Sequence, residues 1–177
     1  MTSPTYRSPK ARAIRFCVCP CSLGSLLVAG SERGVCFVRF GAGDVEVEQR
    51  LKEAFPFAPL ERSERGPVAE WGRAIADYVD GLAPSAEVPL DVSGSRFEER
   101  VWSALREIPA GQTRAYSDIA KRVGSPRGAR AVARACAVNP VAVVIPCHRV
   151  IEKGGGLGGY GGGISRKRAL LQREGAK

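Results

Sequence analysis

The sequence has a single histidine, His148, and no apolar run approaching the roughly 20 residues that a membrane-spanning helix needs. The longest such stretches, for example Val138 to Pro146, fall well short of it. No hydrophobic segment directly follows the positive charges of the first residues (MTSPTYRSPKAR), so no signal peptide is expected. The expectation is an intracellular, cytoplasmic protein without a membrane partner. The six cysteines (Cys17, Cys19, Cys21, Cys36, Cys136, Cys147) are then expected as reduced thiols, not as a disulfide framework. With one histidine, a zinc site would fall to thiols. Cys17, Cys19 and Cys21 form a C-x-C-x-C run that points its sulfurs to one face of a strand, and the C-x2-C knuckle is missing. Small apolar thiols in a core are the better reading, and no metal is expected.

Acidic residues are scarce in one half only. Residues 96–177 hold 6 Asp/Glu against 16 Lys/Arg, a net of +10, whereas residues 1–95 hold 12 against 11, a net of −1. This asymmetry suits a polyanion-binding lobe joined to a neutral one, although a merely soluble basic surface would give the same totals. With 177 residues, 44% hydrophobic and 25% charged, the chain can bury one core or two small lobes.

The pattern along the chain predicts an α+β fold. Residues 1–11 are polar and Pro-bearing and read as a loose tail. Residues 12–92 read as a small lobe with an antiparallel sheet and helices. Strands are expected at Ile14–Val18, Leu26–Ala29 and Val35–Phe40, the last two joined by a hairpin loop over 30–34. Helices are expected at Val47–Phe55 and on the face Val68, Ile75, Tyr78, Val79, Leu82, with Pro-rich connectors at 56–67 and 83–89.

Residues 93–177 read as a mostly helical, winged-helix-like lobe. Ser95-Arg96-Phe97-Glu98 is a capping box opening a helix that stops before Pro109. A short helix over 116–123 ends at Gly124, and Ser125-Pro126 is expected to start another running to about Val138. This helix-turn-helix would set Arg127, Arg130 and Arg134 on one face, with Ala129, Val132, Ala133 and Cys136 opposite. An ordinary surface helix with a charged outer face has the same pattern. The last helix is expected over about 165–174, with Leu170 and Leu171 inward.

The chemistry concentrates at Pro146-Cys147-His148-Arg149. A thiol is a weak nucleophile at neutral pH, and a neighbouring base or positive charge raises its thiolate share. The one histidine adjoins a cysteine in the basic half, just before a loop with eight glycines over 154–163. On an extended segment adjacent side chains diverge, so a water or a bend has to link the two. A buried inert cysteine beside a structural histidine is the plainer alternative.

The run Ile145-Pro146-Cys147-His148-Arg149-Val150 resembles the active-site signature of the O6-alkylguanine-DNA alkyltransferases, the methylated-DNA–protein-cysteine methyltransferases. Further matches follow in order: Val101-Trp102 with Leu105, Ile108-Pro109 with Gly111 and Thr113, Tyr116-Ser117, Arg130-Ala131-Val132, Asn139-Pro140, Gly159-Tyr160, and Lys167 with Leu170-Leu171 and Glu174. They cover the whole second half. The first half is similar in outline, especially to the alkyltransferase half of Ada-type bifunctional regulators.

The resemblance implies a monomer that repairs O6-alkylguanine in double-stranded DNA, at the nucleoid if bacterial, without a cofactor. Glu174 would orient His148, His148 would deprotonate Cys147, and Cys147 would take the alkyl group irreversibly. Tyr116 would press on a phosphate and donate to guanine N3. Arg130 would fill the space left by the flipped base, within a DNA-binding set of Arg127, Ala129, Ala131 and Arg134. The carbonyls of Cys147 and Val150 would select guanine. Gly159, Tyr160 and Gly161 would wall the pocket, and Asn139 would support the turn beneath it. The family often carries a side chain at the position of Gly161. Two other readings stand beside this one: a non-catalytic protein that binds alkylated DNA and recruits other factors, and a cysteine hydrolase using Cys147 and His148.

Overall fold

The computed structural model describes residues 13–176, so the tail expected over 1–11 lies outside the described residues. The described residues divide into two compact units between Ser93 and Gly94.

In the first unit, β1 (Ile14–Cys21), β2 (Gly24–Ser31) and β3 (Gly34–Gly41) form an antiparallel meander. The strands run beyond the expected bounds because their hydrogen-bonded ends include polar and glycine residues that carry no apolar signal. α1 (Asp44–Ala54) packs against β2 and β3, and α2 (Pro67–Val79) against β1 and β2. The sheet is therefore covered on both faces, which explains why Leu26 to Ala29 is a continuous apolar run rather than an alternating one. One face contributes Ile14, Phe16, Val18, Leu27 and Ala29 to a core closed by Val47, Leu51 and Phe55.

Two expectations need correction here. The connector over 56–67 contains a strand, β4 (Leu60–Arg62), that adds to β1 in parallel, so the sheet order is β3-β2-β1-β4 and the edge is not antiparallel. Three residues with two charges offer no alternation to detect. Leu82 does not extend the face of α2. The helix stops at Val79, and Leu82 is 78% exposed.

The second unit holds α3 (Arg96–Arg106), β5 (Arg114–Ala115), α4 (Tyr116–Arg122), α5 (Ala129–Ala137), β6 (Val150–Ile151) and α6 (Ile164–Arg173). β5 and β6 pair in parallel. The Ser95 hydroxyl accepts from the Glu98 amide, and the Glu98 carboxylate accepts from the Ser95 amide, completing the capping box at α3. Trp102 on α3 donates its indole N–H to the Ala135 carbonyl at 2.9 Å, a buried bond that fixes α5 against α3.

α5 begins later than expected. Ser125 to Gly128 closes a turn, with the Gly128 amide donating to the Ser125 carbonyl at 2.7 Å, and the helix starts at Ala129. Arg127 is thus an exposed turn residue and does not share a helix face with Arg130 and Arg134, which are both exposed one turn apart on α5. Val132 and Ala135 are the fully buried positions of that helix, and Ala129, Ala131, Ala133 and Cys136 are half-buried. Among the described residues, no helix is long and apolar enough to cross a membrane.

Candidate active site

The segment after α5 folds into a tight turn organised by one side chain. Buried Asn139 accepts the Val141 amide on Oδ1 at 3.0 Å and donates from Nδ2 to the Ile145 carbonyl at 2.9 Å. The same Nδ2 lies 3.3 Å from Cys147 Sγ, so one amide both holds the turn and donates toward the sulfur. Val143, in the middle of this turn, has φ of 74°. A β-branched residue there is strained by about 1–3 kcal/mol, and it persists because Asn139 clamps the chain on both sides. The apolar, β-branched run over 141–145 is therefore a strained turn.

Cys147 to Arg149 form a single 3-10 turn, not an extended segment. Neighbouring side chains on such a turn point about a third of a turn apart rather than to opposite sides as on a strand. Cys147 and Arg149 are buried, and His148 is wholly inaccessible.

His148 Nε2 and Glu174 Oε1 are 2.7 Å apart, with Glu174 at the C-terminal cap of α6. Arg149 closes on the same carboxylate, Nε donating to Oε2 at 2.9 Å and Nη2 to Oε1 at 3.0 Å. Its remaining Nη1 donates to the Ile108 carbonyl. Glu174 is consequently gripped by two side chains from one turn. His148 Nδ1 is buried and has no hydrogen-bond partner among the described residues. Burial holds the imidazole below its ordinary range, and the Glu174 hydrogen bond opposes that only in part. The result is a neutral imidazole with its Nε2–H fixed on a carboxylate and its Nδ1 lone pair unused.

Tyr116 opens α4 and is half-buried. Burial, reinforced by Cys136, Cys147 and Glu152, pushes its phenol up to about 12, so it is a hydrogen-bond donor at neutral pH. Gly158 packs directly on it. With φ of 66°, a Cβ at Gly158 would lie 3.0 Å from the Tyr116 oxygen, so both the backbone conformation and the close approach call for glycine. The Tyr160 ring meets the His148 ring edge to face, with centroids 6.4 Å apart. Gly159 and Gly161 are exposed, and nothing lies within 4 Å of a Cβ built on either.

Lys167 is a residue whose place the sequence reading did not assign. It is completely buried on the inner face of α6, and its ammonium donates to the carbonyls of Val150 at 2.6 Å and Leu157 at 2.5 Å. The Gly159 carbonyl lies 3.5 Å away. One cation thus gathers the glycine loop onto the strand after the reactive turn. Burial lowers its pKa, while Cys147, Cys136 and Glu152 act to raise it. The only local signal was its spacing, three and four residues before Leu170 and Leu171. The Val150 carbonyl accepts from Lys167 Nζ, and the Cys147 carbonyl accepts from the Val150 amide.

The structure thus gathers Cys147, His148, Glu174 and Asn139 around one turn, with Val150 and Gly159 tied to Lys167 beside it. Arg130 and Arg134 stand exposed on α5. No group of three or more His, Cys, Asp or Glu side chains is placed to hold a metal ion among the described residues.

The DNA-binding domain of 6-O-methylguanine DNA methyltransferase matches residues 96–176. The bifunctional transcriptional activator/DNA repair enzyme Ada of Escherichia coli is 42% identical over 98% of this chain, and the chain spans 49% of that protein's length. A methylated-DNA–protein-cysteine methyltransferase of Methanosarcina acetivorans is 40% identical over 87% of the chain and is itself covered over 94%. The crystal structure of the Mycobacterium tuberculosis O6-methylguanine methyltransferase superposes with a TM-score of 0.77 at 36% identity, covering 92% of this chain and 93% of that one. A structure of the same mycobacterial protein in complex with DNA gives 0.76 at 35%, covering 91% and 92%. The chain belongs to the methylated-DNA–protein-cysteine methyltransferase family.

Proposed function

We propose that this protein repairs O6-alkylguanine, chiefly O6-methylguanine, in duplex DNA by moving the alkyl group to Cys147 once. The observation that carries the reading is the chain of contacts around the thiol. Glu174 fixes one nitrogen of a neutral imidazole, the other is unused, and Asn139 donates to the sulfur of Cys147.

The chemistry follows the orienter, base and nucleophile logic of catalytic triads. His148 Nδ1 takes the thiol proton, through a water. The thiolate attacks the alkyl carbon from the side opposite O6, forming the S–C bond as the C–O bond breaks. The electron pair of that bond passes to the guanine, and the Tyr116 hydroxyl donates to N3 as this charge develops. The proton count closes when the imidazolium gives up its proton and the phenol is restored. The products are neutral guanine and a thioether, which has no easy hydrolytic exit, so each chain acts once. Arg149 and Lys167 are positioning residues: the first holds Glu174, the second holds the pocket's backbone.

A base inside a stacked duplex has to rotate out to reach a buried sulfur. The exposed Arg130 near the start of α5 would occupy the vacated stack, with Arg134 and Arg127 on neighbouring phosphates and the small Ala129 and Ala131 letting the helix come close. On this reading the protein would work as a monomer in the cytoplasm, at the nucleoid in a bacterium.

Titration with excess O6-methylguanine duplex tests this directly. Methyl transfer should saturate at one group per chain, and continued turnover would overturn the reading. The glycine wall sets a second expectation. The open space around Gly161 means that Gly161→Trp should keep the fold while slowing transfer of a benzyl group more than transfer of methyl. Competition between the two substrates measures this, and equal slowing would remove Gly161 from the pocket.

A further inference from the structure

Outside this site, the first unit holds a pair of thiols that the repair reaction does not use. Cys17 and Cys19 lie two residues apart on β1 and point to the same face, their sulfurs 3.9 Å from each other. Cys17 is buried and donates to the Val68 carbonyl at 3.3 Å, whereas Cys19 is half-buried and reachable from solvent. α2 crosses directly above them at Gly72, where a Cβ would sit 2.5 Å from one sulfur and 2.8 Å from the other. Any larger residue would push the sulfurs aside, so a mid-helix glycine, itself unfavourable in a helix, leaves room for both.

We propose that Cys17 and Cys19 form a peroxide-responsive dithiol that closes to an intrachain disulfide, independently of Cys147. The attacking partner is Cys19. The pairing with Cys17 and the charge of Arg73 hold its thiol below the usual range, while the same pairing and burial push Cys17 up. Cys36, by contrast, is buried alone and is pushed up to about 12, which keeps it inert.

Cys19 thiolate attacks one oxygen of hydrogen peroxide, the O–O bond breaks, and with one proton water leaves a sulfenic acid. The Cys17 thiol then attacks that sulfur, and the sulfenic hydroxyl leaves as a second water with the Cys17 proton. Two hydrogens are lost and one peroxide is reduced. Two strand residues at i and i+2 have Cα atoms about 6.6 Å apart, near the upper end of the roughly 4.4–6.8 Å that a disulfide spans. Closure therefore strains β1, an interior strand of the sheet, and the bond is readily reduced.

The test uses the full chain carrying Cys21→Ser, a change at the end of β1 that keeps a hydroxyl to donate to the Gly24 carbonyl in place of the thiol. The tryptic peptide from Phe16 to Arg33 then contains only Cys17 and Cys19. After peroxide it should lose two hydrogens and resist iodoacetamide, and dithiothreitol should restore two alkylatable thiols. Gly72→Ala should slow the closure by forcing the sulfurs apart. Two alkylated cysteines after peroxide, or sulfinic acid on Cys19 without a disulfide, would overturn the proposal.

Discussion

Replacing His148 with Ala should slow alkyl transfer by about 10²- to 10⁴-fold, the range that a positioned general base supplies, while leaving affinity for duplex DNA unchanged. His148 is wholly buried whereas Arg130 and Arg134 of α5 are exposed, so its loss strikes the thiol proton and not the DNA surface. Single-turnover rates on an O6-methylguanine duplex measure the first quantity, and binding to undamaged duplex measures the second. The pH dependence follows from the direction of the shift. Because burial holds the imidazole below 6.5, it is neutral, and able to act as a base, throughout the neutral range. In the wild type the limb due to His148 lies on the acid side of 6.5, and the variant should lose it. The same shift acts on stability. Above 6.5 the imidazole is neutral whether folded or unfolded. As pH falls below that value the unfolded chain takes up a proton that the folded one refuses, so stability declines toward the lowered folded pKa.

The second large effect is expected at Arg149. Replacing it with Leu removes the two bonds to Glu174 and the one to the Ile108 carbonyl, and leaves a nearly inaccessible carboxylate beside a neutral imidazole. Breaking a buried pair from one side costs about 3–5 kcal/mol. For a chain of this length that lowers Tm by roughly 6–20 °C. Differential scanning calorimetry at neutral pH reads the shift. Arg149→Lys should recover only part of it, since an ammonium cannot grip both carboxylate oxygens and reach Ile108 together. An unchanged Tm in the Leu variant would mean that Glu174 is held by His148 alone.

Some of this is legible in the sequence alone, and the reasons differ by residue. The capping box at Ser95 and Glu98 is local chemistry written in four letters, and it forms as written. The α+β class with a neutral sheet lobe and a basic helical one followed from periodicity and charge. β4 escaped because three residues leave no period, and the start of α5 was misplaced because Ser125-Pro126 also opens a turn. Cys147 and His148 stood out by their adjacency, and Glu174 came through the family resemblance. The grip of Arg149 on Glu174 depends on a 3-10 turn that the flanking apolar run did not announce. Lys167 was hidden more deeply. Its partners are carbonyls, which no side-chain pattern reports, so a charged residue in the core looked like any other helix lysine.

The alkyl group is expected to end on Cys147 Sγ. The full chain is incubated with duplex DNA carrying one O6-methylguanine, digested with trypsin, and the peptide from Ala135 to Arg149 is fragmented in the mass spectrometer. That peptide also contains Cys136, so the fragments have to place the group. One added methyl is expected, located on Cys147 and absent from the Cys147→Ala protein. An unmodified peptide, or a methyl group on Cys136, would contradict it.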